Sequence, residues 1–136
     1  MSALTPAQAL QAGFSTSEKT WLPIPVEHQL KAVSAQYGDP ESVLEQYRRF
    51  LAFRKLHPAL ARGDMVFLPA DAPLLQYERR DGNEVVLCMF NMSPEPMVAE
   101  PPAGDWETLG GHGFESSVED NRINLPAWGA FFARRA

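Results

Sequence analysis

The feature that most constrains this chain is a change of period at Gly63. Beyond it come "MVFLPA", "LLQYERR", "EVVLCMFNM", "PMVAEP", "WETLG", "FESSVE", "RINLPA" and "GAFFARR", short runs rich in β-branched and aromatic residues. Turn signals separate them: "DAP", "RDGNE", "SPEP", "PPAGD", "GGHG" and "EDN". Several short strands at regular spacing, punctuated by Gly, Pro, Asn and Asp, indicate an antiparallel sandwich or barrel. The Asp81–Gly82 step adds a hairpin signal between two apolar runs. Residues 63–136 are therefore predicted to form an antiparallel β-sandwich domain, and the chain to be mainly β.

Upstream the pattern is helical. Residues 39–62 are a predicted helical segment, most strongly over 39–57. Asp39 is a good N-cap, Pro40 suits the first helical position, and Glu41 complements the helix dipole. The far end carries Arg54, Lys55 and His57 and stops at Pro58, with His57 read as a C-terminal cation. At about 100° per residue, Val43, Leu44, Tyr47, Phe50 and Leu51 form one apolar stripe. Phe53 widens it and Leu56 points nearly the opposite way. That is a broad apolar surface for one helix beside a single sandwich. Arg54 projects into the stripe, so its guanidinium must snorkel or meet a carboxylate.

Residues 1–38 form an irregular arm. "LTPAQALQAGFSTSEKTWLPIP" has neither helical stripe nor strand alternation and is cut by Pro6, Pro23 and Pro25, yet it carries Phe14 and Trp21. Such segments are loops moulded onto a larger body. "VEHQLKAVSAQ", further along, has room for a helical turn.

Composition excludes several classes. With 136 residues, 45% hydrophobic and 21% charged, the chain has the make-up of one ordinary globular domain. A net charge of −5 leaves no electrostatic footprint for nucleic acid or an anionic membrane. The apolar runs are too short to span a bilayer, and the N-terminus lacks the features of a signal peptide. A cytoplasmic location is the expectation.

Chemistry is sparse. Cys88 is the single cysteine and lies in the most apolar run, which predicts a buried, inert thiol. His28, His57 and His112 stand in three segments without ligand spacing, so no metal site and no cofactor are expected. No nucleophile elbow is present, and Glu78, Asp81 and Glu84 fall at strand ends or hairpin turns, where solvated roles dominate. No catalytic residue is assigned.

The order of segments carries a resemblance. "TPAQALQAGFS", "WLPIP", "DPESVLEQYRRFLAFRKLHPAL", and then strands containing "VLCMFNMS" and ending in "LPAWGAFFA" resemble the C-terminal portion of α-glucosidases. These belong to the α-amylase family of glycoside hydrolases, in its oligo-1,6-glucosidase and trehalose-synthase branch. The resemblance implies that the helix is the last one of a (β/α)₈ barrel and that the strands form the C-terminal β-sandwich. Tyr47, Phe50, Leu51, Phe53 and Arg54 would then be structural or interface residues of the barrel wall. The family's aspartate nucleophile, glutamate acid/base and second aspartate lie upstream of everything here. Where the family reads like "TPMQWD", this chain has "TPAQAL", with Ala9 and Leu10 at the tryptophan and acidic positions. With Met1 just before that motif, the chain is expected to be a remnant, a split gene product or an expressed fragment.

Three functional expectations follow. The first is a non-catalytic C-terminal piece of an α-glucosidase-like enzyme, inactive alone, or a subunit of a split one. The second is a carbohydrate-binding accessory module with weak α-glucoside binding, for which Trp21, Trp106 and Trp128 are the candidate platforms. The third is an interaction module, a homodimer or the partner of a barrel-bearing chain, because the helix stripe would otherwise stay uncovered.

Overall fold

The computed structural model of the chain describes residues 11–17 and 19–136; the expected departure at Thr5 to Leu10 lies outside them. The chain forms two compact units that divide at Arg48/Arg49, inside the long helix. Each of the eight apolar runs beyond Gly63 carries one strand. β1 (Asp64–Phe67), β2 (Leu74–Asp81), β3 (Glu84–Asn91), β8 (Ala130–Arg135) and β5 (Trp106–Thr108) make a sheet in the order β1-β2-β3-β8-β5. β4 (Met97–Ala99), β7 (Arg122–Leu125) and β6 (Ser117–Glu119) make a smaller sheet in the order β4-β7-β6. Every pairing is antiparallel, as the sandwich expectation requires.

Two hydrophobic clusters hold this second unit together, one on each face of the larger sheet. Strand alternation sends Val86, Cys88, Ala130 and Phe132 to one face, where they meet Phe53, Ala59 and Leu60. It sends Leu87, Met89, Phe131 and Ala133 to the other, against Ala99, Ile123 and Leu125 of the smaller sheet. β3 and β8 are therefore covered on both sides. A strand buried twice cannot alternate apolar with polar, which is why "VVLCMF" and "AFFA" read as unbroken apolar runs.

The turns follow local chemistry. Asp81 pairs with Glu84, so the β2–β3 loop is Gly82–Asn83, one residue later than the Asp–Gly signal suggests. Of its two residues only Gly82 has a positive φ, 56°, the arrangement of a type II′ hairpin. The β6–β7 loop takes positive φ at both Asp120 (48°) and Asn121 (59°), as a type I′ turn demands.

The first unit consists of the arm, α1 (Glu27–Leu30), α2 (Val33–Gln36) and the start of α3 (Val43–Leu56). α3 starts later than the Asp39 cap predicts. Asp39 Oδ1 accepts the Glu41 N–H at 3.0 Å, a local turn, while Ser42 Oγ accepts the Glu45 N–H at 3.3 Å. Ser42 and Glu45 stand at the spacing of a capping box, but the Glu45 carboxylate reaches back past Ser42 to the Gly38 N–H at 3.2 Å. Gln36 adds a second clamp, its Oε1 accepting the Leu44 N–H at 3.0 Å. At its other end α3 gives way to a short helix α4 (Pro58–Arg62).

Candidate functional site

Four titratable or polar groups of the second unit, Cys88, Glu78, Glu84 and His112, are taken up by the core and its edges. Cys88 is fully buried between Tyr77 and Phe132, and burial pushes its thiol up to about 12, so it is inert at neutral pH. Glu78 is almost fully buried, yet both of its oxygens are used: Arg80 Nε donates to one at 2.8 Å and Arg135 Nη2 to the other at 3.0 Å. Glu84 is not the solvated turn carboxylate that its position suggests. Its Oε2 accepts the Ala59 N–H at 2.8 Å, and its Oε1 lies 3.1 Å from Nδ1 of His57. His57 thus stands between the end of α3 and the start of α4, held by Glu84, which supplies the cap that α4 lacks locally.

His112, expected only as part of a glycine-rich turn, lies in an aromatic cluster. Its ring packs on Phe53, Phe114 and Phe132, with centroids 5.4, 6.0 and 4.9 Å away. Nδ1 accepts the Phe114 N–H at 3.1 Å, so Nε2 carries the proton. Burial lowers its pKa, and a hydrogen bond to the Leu109 backbone partly opposes that. Among the described residues no group of three His, Cys, Asp or Glu is placed to hold a metal, and no helix is long and apolar enough to cross a membrane.

The helix stripe is divided rather than buried. Phe53 is the one buried residue of α3, and Phe50 packs partly beside it against Phe132, with centroids 5.3 and 5.9 Å from that ring. Leu51 is half-buried. Among the described residues Arg54 meets no carboxylate; its Nη2 donates to the Ala61 carbonyl at 2.9 Å and so closes the end of α4. Tyr47, within the first unit, is 61% exposed.

That first unit presents the conspicuous surface. α1 and α2 bury no residue at all. Phe14, Trp21, Leu22, Val26, Leu30 and Tyr37 are exposed, Trp21 to 98%. Phe14, Trp21, Leu22 and Ile24 line a groove of about 560 Å³ whose polar edge carries Thr20, Lys19 and His28. An apolar display of this extent marks a surface built to be covered.

The three tryptophans are in different settings. Trp21 belongs to that arm. Trp106 is half-buried, its indole N–H donates to the Pro102 carbonyl at 2.8 Å, and the Arg135 guanidinium lies 4.9 Å over its ring. Trp128 is 62% exposed in the β7–β8 turn, with a positive φ of 58°. Trp106 pairs with Arg135 at one end of β8 while Trp128 precedes Ala130 at the other, so strand rise separates these two by roughly 20 Å.

No family model matches the chain. It is similar to a probable α-glucosidase of Rhizobium meliloti (strain 1021), with 51% identity over 129 residues that cover 95% of this chain and 23% of that protein. The crystal structure of the α-glucosyl transfer enzyme XgtA superposes with a TM-score of 0.84 at 35% identity, covering 91% of this chain and 23% of that one. An α-amylase from H. orenii shares the fold, with a TM-score of 0.69 at 18% identity over 85% of this chain and 25% of its own. The chain thus belongs with the α-glucosidases of the α-amylase family and corresponds to their C-terminal portion. It spans less than a quarter of the length of the curated relatives that it matches.

Proposed function

We propose that this chain is the non-catalytic C-terminal part of an α-glucosidase-like enzyme of carbohydrate metabolism, whose arm seats a barrel-bearing part that carries the catalytic carboxylates. The observation that carries the reading is the contrast between closed hydrophobic clusters in the second unit and a first unit whose two short helices, α1 and α2, bury no residue. The sandwich supplies its own core, whereas Phe14, Trp21, Leu22 and Tyr37 need a partner surface to leave water. The relatives share this portion and carry far more chain than it covers. The barrel-bearing part is proposed equally for the same polypeptide or for a second one. Where that part is missing, the exposed arm drives self-association, and the chain is a homodimer.

The test is reconstitution with the remaining part of the Rhizobium meliloti relative, purified separately and mixed with this chain. The pair is expected to co-elute in size-exclusion chromatography and to cleave a chromogenic α-glucoside better than the barrel part alone, while this chain alone is inert. Clear turnover by the pure chain, or two species that never co-elute, overturns the proposal.

A further inference from the structure

β1 is the outer strand of the larger sheet, and it lacks the usual protections of an edge. All four of its residues are exposed, and Met65, Val66 and Phe67 are large and apolar. It contains no lysine and no proline, and no bulge interrupts it, because its pairing with β2 runs unbroken from Asp64–Arg80 to Phe67–Tyr77.

Hydrogen-bond phase places the free groups along this edge. The Leu68 N–H donates to the Gln76 carbonyl at 3.1 Å, which continues the β1–β2 register by one pair. Inward and outward groups alternate in an antiparallel ladder, so Asp64 and Val66 also bond to β2, while Met65 and Phe67 turn their N–H and C=O outward. Among the described residues these outward groups meet no backbone partner. The neighbours on either side are closed. Gly63 donates its N–H to the Ala59 carbonyl at 3.0 Å, and its carbonyl accepts Arg79 Nη2 at 2.6 Å. Pro69 has no N–H, and its carbonyl accepts Gln76 Nε2 at 2.5 Å. The open stretch of edge is therefore Met65–Phe67, symmetric about Val66.

We propose that β1 is a self-association edge, on which a second copy of this chain pairs its own β1 antiparallel about a two-fold axis at Val66. In that register Met65 lies opposite the partner's Phe67, and the two residues exchange both of their outward bonds. The symmetric pair does the same, so every outward group of both strands is used. An axis at Met65 would set Phe67 against Gly63, and an axis at Phe67 would set Met65 against Pro69, whose groups are already taken. The side chains agree with the register. Met65 and Phe67 share a face with Tyr77, whose ring lies 5.9 Å from that of Phe67, and sulfur–aromatic contacts across the axis extend this row. The two Val66 side chains meet on the other face as a β-branched pair. Asp64, the one charge of β1, falls opposite Leu68. The two Asp64 residues are then roughly 14 Å apart, beyond the screening length of about 10 Å at 0.1 M salt. Pairing consumes the open stretch of both copies, so the contact stops at two.

The experiment is cross-linking of the full chain in a glutathione redox buffer, with Val66→Cys and Asp64→Cys made separately. Opposite residues of a non-hydrogen-bonded pair have Cα atoms about 4.5 Å apart, within disulfide reach, whereas position 64 lies well outside the limit of about 7 Å. Cys88 is buried and takes no part. Val66→Cys is expected to give a disulfide-linked dimer on non-reducing electrophoresis, and Asp64→Cys to stay monomeric. Val66→Lys sets like charges across the axis at a side chain already exposed. It should raise the dimer dissociation constant at least about tenfold in sedimentation velocity, with the far-UV circular dichroism unchanged. No Val66→Cys dimer, equal linking at both positions, or an unchanged dissociation constant in Val66→Lys overturns the proposal. Every group involved lies in the second unit, so adding Trp21→Ala should leave the Val66→Cys link intact. Loss of the link in that double variant would assign self-association to the arm and overturn the edge. Barrel reconstitution is read separately, and its failure leaves this cross-link readable.

Discussion

The two units of this chain solve the burial problem in opposite ways. In the second, the centre of the larger sheet is covered on both faces, so Val86–Met89 of β3 and Ala130–Ala133 of β8 are buried. In the first, two four-residue helices keep every side chain at least partly in water, and their order rests on local hydrogen bonds such as those of Gln36 and Ser42. Helices of one turn are marginal on their own, because nucleation costs more than so few bonds return. The difference shows that one stretch of sequence encodes a core and the other encodes a surface complementary to something else.

The contrast can be broken most directly at Phe132, the residue that touches Phe50, Phe53, Phe90 and His112 at once. Phe132→Ala should destabilise the chain by about 3–5 kcal/mol, read as a fall in the urea midpoint by far-UV circular dichroism. A loss below about 1 kcal/mol would mean that the helix-side cluster is not a core of the kind described.

A second test uses pH. Burial lowers the pKa of His112 below its ordinary 6.5, so the unfolded state takes up the proton first as the pH falls. Stability gained through this group is then fully present above about 6.5 and declines below it until the folded-state pKa is passed. Urea midpoints should therefore drop between neutral pH and about pH 5, and the drop should shrink in His112→Leu. An unchanged pH dependence in that variant would remove His112 from the core.

The smallest expected effect lies in the arm. Trp21→Ala should change the stability of the free chain by no more than about 0.5 kcal/mol, because the ring touches so little of its own unit. The same variant should weaken reconstitution with the barrel-bearing part by about 2 kcal/mol, as a central aromatic anchor does, measured by titration calorimetry. A large stability loss in the free chain would show that the arm has a core after all, and the contrast between the units would fall.

The strand pattern was legible because each strand is short and bounded by turn residues, so eight apolar runs became eight strands. The helix was legible in its existence but not in its start. Asp39 and Ser42 are both competent caps, and only the clamp from Gln36 and Glu45 onto neighbouring backbone selects Ser42. Arg54 illustrates the same limit. A charge in an apolar stripe signalled a partner, but nothing local indicated that the partner would be a carbonyl of the next helix. His57 and Glu84 are 27 residues apart, and their pairing arises only because the β2–β3 hairpin folds back beside α4. For the candidate sites, Trp21 and Trp128 could be named from the sequence as aromatics, while their exposure could not.

By itself the sequence determined the β class, the hairpin positions, the long helix and the relationship to the α-glucosidases, because these depend on local periodicity, turn chemistry and the order of segments. The tertiary structure alone decided which faces are closed. It placed His112 inside, covered Trp106 with Arg135, and left Trp21 and Trp128 in water. The physical reason is that burial is a property of what lies opposite a residue, and in an antiparallel sandwich the opposite strand can come from anywhere along the chain.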